Sequence, residues 1–210
     1  MIVIVSATFS EIKNLISTYK NHTFVDFLIT GMGVVNTMFA MQNYILNKKN
    51  FLENIFFINA GIAGAFDNAE LLEICLGDTE IFSDFGVCFS QKTEYFKTPE
   101  KVTISNRFND YINKNFTFDK TGTFLTVNCV TASPERKNFF QKKFNPLLEN
   151  MEGYAAAFLA EKFNLNFSEI RVISNTVGDR ENWQTERAVA ELNSFLMKII
   201  KKVEKNDFKI

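Results

Sequence analysis

Short, wholly apolar runs alternate with stretches of helical spacing along this chain, and that alternation narrows the fold more than any other feature. Ile2–Ser6 reads as a buried strand, followed by a helix over about Phe9–Tyr19. Phe24–Thr30 is a second strand, Val34–Leu46 a second helix and Asn54–Asn59 a third strand. Further along, Asp78–Val87 and Thr123–Val127 read as strands and Arg107–Asn115 as a helix. Met151–Phe163 (helix), Arg171–Thr176 (strand) and Gln184–Val203 (amphipathic helix) close the pattern, with a charged, fraying tail at Glu204–Ile210. Buried strands interleaved with helices predict an α/β layered fold with a largely parallel sheet. At 210 residues, with no Pro- or Ser-rich linker and no internal repeat, a single domain spanning 1–210 is expected.

Composition excludes several classes of function. Twenty-three basic against 24 acidic residues, spread evenly, leave no footprint for nucleic acid or anionic lipid. Cys75, Cys88 and Cys129 form no CxxC, and His22 sits alone in a polar turn. Neither a disulfide framework, a metal centre nor histidine acid–base chemistry is supported, and no cofactor is expected. Met1–Val5 is too short and lacks a basic flank for a signal peptide, and no run approaches a membrane span, so a cytoplasmic protein is expected. The 24 Phe residues fit an aromatic core combined with AT-rich coding.

In open α/β sheets, ligands bind beyond the carboxyl ends of the strands. That directs attention to Ala7–Glu11, Thr30–Gly33, Ala60–Ala65, Thr126–Thr131 and Ser174–Arg180. Gly31-Met32-Gly33 and Gly61-Ile62-Ala63-Gly64 read as small-residue turns, and neither matches a dinucleotide or phosphate-loop pattern. Glu11 and Glu152 each open a helix, where a carboxylate is ordinarily a dipole partner exposed to water.

Taken in order, strand-Ala-x-x-x-Glu11, Gly-Met-Gly33, Asn-Ala-Gly-Ile-Ala-Gly64, Met151-Glu152-Gly-x-Ala-Ala and Arg-x-Ile-Ser-Asn175 resemble the nucleoside phosphorylase and nucleosidase superfamily across nearly the whole chain. Within it, Thr126–Thr131, Met151–Gly153 and Ile173–Val177 are most similar to the futalosine hydrolases, nucleosidases of menaquinone biosynthesis. The methylthioadenosine/S-adenosylhomocysteine nucleosidases share the outline and are the alternative. The resemblance implies a three-layer αβα sandwich around a mixed, largely parallel sheet, a small purine nucleoside as substrate, and a homodimer or larger assembly. It implies hydrolysis of an N-ribosidic bond, with Glu11 activating water, Glu152 accepting from the ribose hydroxyls and Asn175 meeting the base. Gly33, Ala63, Gly64, Val130, Thr131 and Met151 would line the substrate pocket, although Met151 reads equally as a core residue.

Asn175 carries the choice of base. An amide is always neutral, so its NH₂ suits a 6-oxo group and its carbonyl a ring N–H, which favours hypoxanthine over adenine. A turn hydrogen bond at a strand end is the structural alternative. Ile62 stands where the adenosine-type enzymes carry Ser, so no hydroxyl holds water there. A phosphorylase would need a cationic first loop, and Ala7–Glu11 has no Lys or Arg. Arg180 and Trp183 are candidates for the far end of the pocket, with a salt-bridged Arg180 and a core Trp183 as equal alternatives.

Overall fold

Strand β1 (Ile2–Ser6) is buried along its whole length, and its alternation serves two cores. Ile2 and Ile4 belong to one cluster, Val3 and Val5 to the other, as a two-residue period between two helical layers requires. The structure is a computed structural model and describes residues 1–49, 52–179 and 181–205. After β1 come α1 (Phe9–Tyr19), β2 (Val25–Ile29), α2 (Val34–Asn47), β3 (Phe56–Ala65) and β4 (Ile74–Phe82). A two-stranded hairpin follows, β5 (Gly86–Cys88) and β6 (Thr93–Tyr95), then β7 (Lys101–Thr103), α3 (Arg107–Asn115) and β8 (Lys120–Thr126). The chain ends with α4 (Pro134–Phe144), β9 (Leu148–Asn150), α5 (Gly153–Lys162), β10 (Asn166–Thr176) and α6 (Thr185–Lys205).

The main sheet is mixed. β2, β1, β3 and β10 run parallel, β4 pairs with β8 and β8 with β9 in parallel, and β10–β4 and β3–β9 are antiparallel. Because β3 pairs with both β10 and β9, strands β3, β10, β4, β8 and β9 close into a ring. Helices α1, α3 and α6 pack on one side with Ile12, Leu15, Phe108, Leu192 and Ile199. On the other side, α2 and α5 pack through Met41, Ile45, Ala156 and Leu159. This is the layered α/β architecture expected, with the closed ring added.

α1 and α3 fall where helical spacing puts them, whereas several strand limits do not. The apolar pattern ends β3 at Asn59 and predicts a small-residue turn at Gly61–Gly64; in the structure the strand runs on to Ala65. It is paired throughout with β10, from Asn166 opposite Phe56 to Thr176 opposite Ala65, so its backbone stays in the ladder. β10 begins at Asn166 rather than Arg171, because Ser168, Glu169 and Arg171 are buried polar residues that find partners inside the protein. The expected strand Asp78–Val87 divides: β4 ends at Phe82 and β5 starts at Gly86. α4 escapes periodicity because its face is mostly polar, although Ser133 caps it, accepting from the Arg136 N–H at 3.2 Å, with Pro134 in its first turn. In the tail, Glu204 and Lys205 finish α6, and residues 206–210 lie outside the described residues.

Candidate active site

A cavity of about 500 Å³ opens where the carboxyl ends of β1, β3 and β10 meet the starts of α1, α5 and α6. Of the anticipated residues, Glu11, Ala63, Gly64, Val130, Met151, Glu152 and Asn175 line it. Gly33 and Thr131 stand behind carboxylates of the wall. The Gly33 N–H donates to Glu152 Oε1 at 3.0 Å, and the Thr131 N–H donates to Glu149 Oε1 at 3.0 Å.

Glu11 is buried at the third position of α1, where Thr8 and Glu11 form a capping box. Its Oε2 accepts from the Thr8 N–H (3.0 Å), the Thr8 hydroxyl (2.9 Å) and the Ser6 hydroxyl (3.2 Å). Oε1 accepts the Ile62 N–H at 3.2 Å, which joins the start of α1 to β3. Helix α1 is kinked at Ile12, and Asn193 of α6 takes up the backbone groups that the kink frees. It donates to the Glu11 carbonyl (2.7 Å) and accepts from the Leu15 N–H (3.2 Å). The carboxylate is thus fixed by the end of β1, the cap of α1 and β3, while α6 holds the backbone beneath it. It is not the water-exposed helix-start residue of the ordinary reading.

Glu152 is the N-cap of α5 and is also buried. The helix end beneath it is satisfied by side chains: Asn150 Oδ1 accepts the N–H groups of Glu152 (3.0 Å) and Gly153 (2.6 Å), and Thr126 Oγ1 that of Tyr154 (2.7 Å). Gly153 is glycine for lack of space. A Cβ there would stand 1.9 Å from Glu80 Oε1 and 2.6 Å from Glu169 Oε1.

Arg171 ties the two carboxylates together, and sequence reasoning did not single it out. It is 1% exposed in the middle of β10 and chelates Glu169 Oε1 through Nε (3.0 Å) and Nη2 (2.9 Å). Its Nη1 lies 3.7 Å from Glu152 Oε2. A Cβ on Gly61 would stand 2.4 Å from Arg171 Nη1 and 2.8 Å from Glu11 Oε1, so the glycine leaves room for both groups to meet over β3. Burial works against the charge of Arg171, but Glu169, Glu152 and Glu11 outweigh it and hold the guanidinium above its ordinary range. Behind it, burial and the neighbouring Glu169 push the Glu80 carboxyl well upward. Glu80 and Glu169 share a hydrogen bond, which with Arg171 works against the burial that raises the Glu169 carboxyl. The available signal was a lone Arg inside the apolar run Ile170–Ile173.

At the other end of the cavity, a register shift between Ile173 and Asn175 sets Asn175, rather than Ser174, opposite Gly64. Asn175 Oδ1 accepts the Ser174 hydroxyl at 2.9 Å and its Nδ2 donates to the Thr176 carbonyl at 3.2 Å, leaving one amide hydrogen free for a ligand. Met151 and Val130 form apolar walls, with Ile62 beside Glu11. Trp183 lines the cavity and is 40% exposed, its Nε1 donating to the Asp179 carbonyl at 2.8 Å, so it is a wall residue and not a core one. Arg180 lies outside the described residues. Among the described lining residues there is no Lys or Arg.

The arrangement is two fixed carboxylates around a buried guanidinium at one end, a neutral amide at the other, and apolar walls between them. Similarity to known proteins extends over most of the chain. The chain is 28% identical to the futalosine hydrolase of Thermus thermophilus over 178 residues, which cover 79% of this chain and 76% of the relative. Its fold is similar to that of the Helicobacter pylori 5′-methylthioadenosine/S-adenosylhomocysteine nucleosidase crystallised with butyl-thio-DADMe-Immucillin-A, with a TM-score of 0.78 at 16% identity over 96% of this chain and 97% of that one. The native futalosine hydrolase of H. pylori superposes with a TM-score of 0.78 at 17% identity, over 96% and 97% of the two chains. Residues 15–204 match the model of the Phosphorylase superfamily, and the chain belongs to that superfamily.

Proposed function

We propose that this protein hydrolyses the N-ribosidic bond of futalosine, releasing hypoxanthine. The observation that carries the reading is the pairing, in one cavity, of Glu11 and Glu152 at the Arg171 end with the neutral amide of Asn175 at the other. The relative from T. thermophilus, named a futalosine hydrolase, supports it.

Breaking the bond leaves an oxocarbenium-like ribose and sends an electron pair to the base, which takes up a proton from solvent as it leaves, matching the proton that Glu11 removes from water and returns to solvent. Glu11 takes the proton of the attacking water, oriented for this by its four donors. Glu152 accepts from the ribose 2′- and 3′-hydroxyls and lies close to the developing cation, whose charge it stabilises in a buried site. Asn175 donates its free amide hydrogen to the 6-oxo group of the departing base. Water, not phosphate, is the nucleophile: the described lining residues offer an oxyanion no cation, and Glu11 would repel it. The enzyme needs no cofactor and works in the cytoplasm.

The working form is a homodimer or larger symmetric assembly. Met32 (65% exposed), Val35 (81%) and Phe39 (70%) present an apolar face beside the cavity, to which Met32 contributes, and a second copy of the chain would cover it. Light scattering at assay concentration tests this, and a fully active monomer refutes it.

Base release from futalosine, inosine and methylthioadenosine, each with and without phosphate, tests the activity. Hypoxanthine release from futalosine at a rate indifferent to phosphate is expected. Preference for methylthioadenosine would replace this reading with the adenosine-type nucleosidase, and a phosphate requirement would replace it with a phosphorylase.

A further inference from the structure

Beneath Glu11 and Glu152 lies a second pair of carboxyl groups that the mechanism above leaves idle. Glu80 of β4 and Glu169 of β10 are both fully buried, and neither lines the cavity. Both crowd Gly153 at the start of α5, and they share a hydrogen bond. Two carboxylates are acceptors only, so a hydrogen bond between them requires a proton, and the pair holds one. Were both ionised, four buried carboxylates (Glu80, Glu169, Glu152 and Glu11) would act on the Arg171 guanidinium. With the proton in place, the pair and Arg171 are together neutral.

Each member of the pair supports a different group of the active site. Glu169 Oε1 accepts from Arg171 Nε (3.0 Å) and Nη2 (2.9 Å), and from Asn59 Nδ2 (3.1 Å). Arg171 Nη1 stops 3.7 Å from Glu152 Oε2, within reach of its charge but outside hydrogen-bond distance. Arginine and carboxylate close into short, often bidentate contacts when nothing opposes them. A guanidinium free to do so would occupy the Glu152 oxygen that the ribose hydroxyls need. Glu80 acts on the other side of Glu152. Its Oε1 accepts from Asn150 Nδ2 (2.6 Å) and its Oε2 from the Thr126 hydroxyl (2.8 Å). With its NH₂ tied to Glu80, Asn150 must present Oδ1 to the Glu152 and Gly153 N–H groups, and Thr126 must present a lone pair to that of Tyr154.

We propose that Glu80 and Glu169 are a positioning pair for the hydrolytic step: sharing one proton, Glu169 holds Arg171 off Glu152 while Glu80 fixes the helix start that carries Glu152. This rests on the nucleosidase reading above and adds to it two residues that never meet the substrate. Stability alone does not account for the pair. Apolar side chains of similar size commonly replace a buried ionic group without loss of stability. Here they would release the guanidinium onto Glu152 and leave the Asn150 amide free to turn its donors toward the helix start.

Two measurements test this. Infrared spectra of the wild type and of Glu80→Gln at pH 8, where Glu149 is largely ionised, read the shared proton without turnover. A carboxylic acid carbonyl band present in the wild type and lost in the variant is expected. A wild-type spectrum without that band overturns the proposal even if the variant fails to fold. Kinetics of Glu169→Gln, on the nucleoside that the wild type hydrolyses best and on its 2′-deoxy counterpart, read the positioning. Gln keeps an oxygen for Arg171 but not the charge. The riboside kcat/KM should fall about tenfold, and that of the deoxyriboside less. On a Glu152→Gln background, the same substitution should leave the riboside-to-deoxyriboside ratio unchanged. Equal losses on both substrates, or a ratio that falls further in the double variant, overturn the proposal while leaving the reading of function intact. A wild type that hydrolyses no nucleoside overturns that reading and the positioning role together.

Discussion

Replacing Glu149 with Gln should make the folded protein more stable at alkaline pH, an unusual direction for a change inside a ligand cavity. The carboxyl holds its proton more tightly when folded (about 7) than at its ordinary 4.5. A group raised in this way contributes stability that is fully present below about 4.5 and is lost as pH rises through about 7. Each tenfold gain in proton affinity corresponds to about 1.4 kcal/mol, so the ionised form costs roughly 3 kcal/mol by pH 8. Only 4% of the residue is exposed, so solvent screening removes little of this. Local relaxation takes some, leaving about 2–3 kcal/mol. Gln does not ionise, keeps an oxygen for the Thr131 N–H and can donate to the unpaired Thr131 Oγ1. Urea unfolding of both proteins at pH 5, 6, 7 and 8, at one protein concentration, isolates the contribution, because every other titration cancels in the difference. The variant's advantage should be about 1 kcal/mol or less at pH 5, grow through pH 6 and 7, and level off by pH 8. A difference flat across that range, or a wild type more stable at pH 8, refutes the reasoning.

Arg171→Met should destabilise the fold by about 3–5 kcal/mol, since it leaves Glu169, Glu152 and Glu11 buried around a missing charge; a loss under about 1 kcal/mol in urea titration would show the network to be dispensable. Glu11→Gln keeps the capping box, because Gln also serves at that helix position, so turnover should fall about 10²–10⁴-fold with KM little changed; wild-type turnover would remove Glu11 from the mechanism. Glu152→Gln should cost more on ribosides than on 2′-deoxyribosides, and equal losses would show that it does not hold the hydroxyls. Asn175→Asp should shift kcat/KM toward the 6-amino member of a substrate pair sharing one 5′-group, by about 10–100-fold; an unchanged ratio would mean that the amide does not read the base.

What the sequence disclosed and what it hid separate on physical grounds. Glu11, Glu152 and Asn175 stand at strand and helix ends, where a polar residue interrupts an apolar or periodic run and an α/β fold gathers its loops at one rim. Strand-end position places Glu11 and Asn175 at that rim, the resemblance to the superfamily adds Glu152, and all three line one cavity. Arg171, Glu169 and Glu80 lie inside strands, where a charge reads as a solvent-facing residue on an alternating strand. They are tolerable there only because of one another, and such mutual compensation appears only when β4, β10 and α5 are packed together. The same limit applies to the Gly61–Gly64 segment. Small residues suggest a turn when read locally, yet here Gly61 leaves room for Glu11 and Arg171, and Gly64 for Asn175 and Glu149, across a continuous strand. Glu149 was hidden for a third reason. On β9, a strand of only three residues, periodicity has no length over which to register, so its place beside Asn175 follows from the β3–β9 register alone. Local chemistry thus marks the groups proposed to meet the substrate, whereas the charges beneath them become intelligible only through strand pairing.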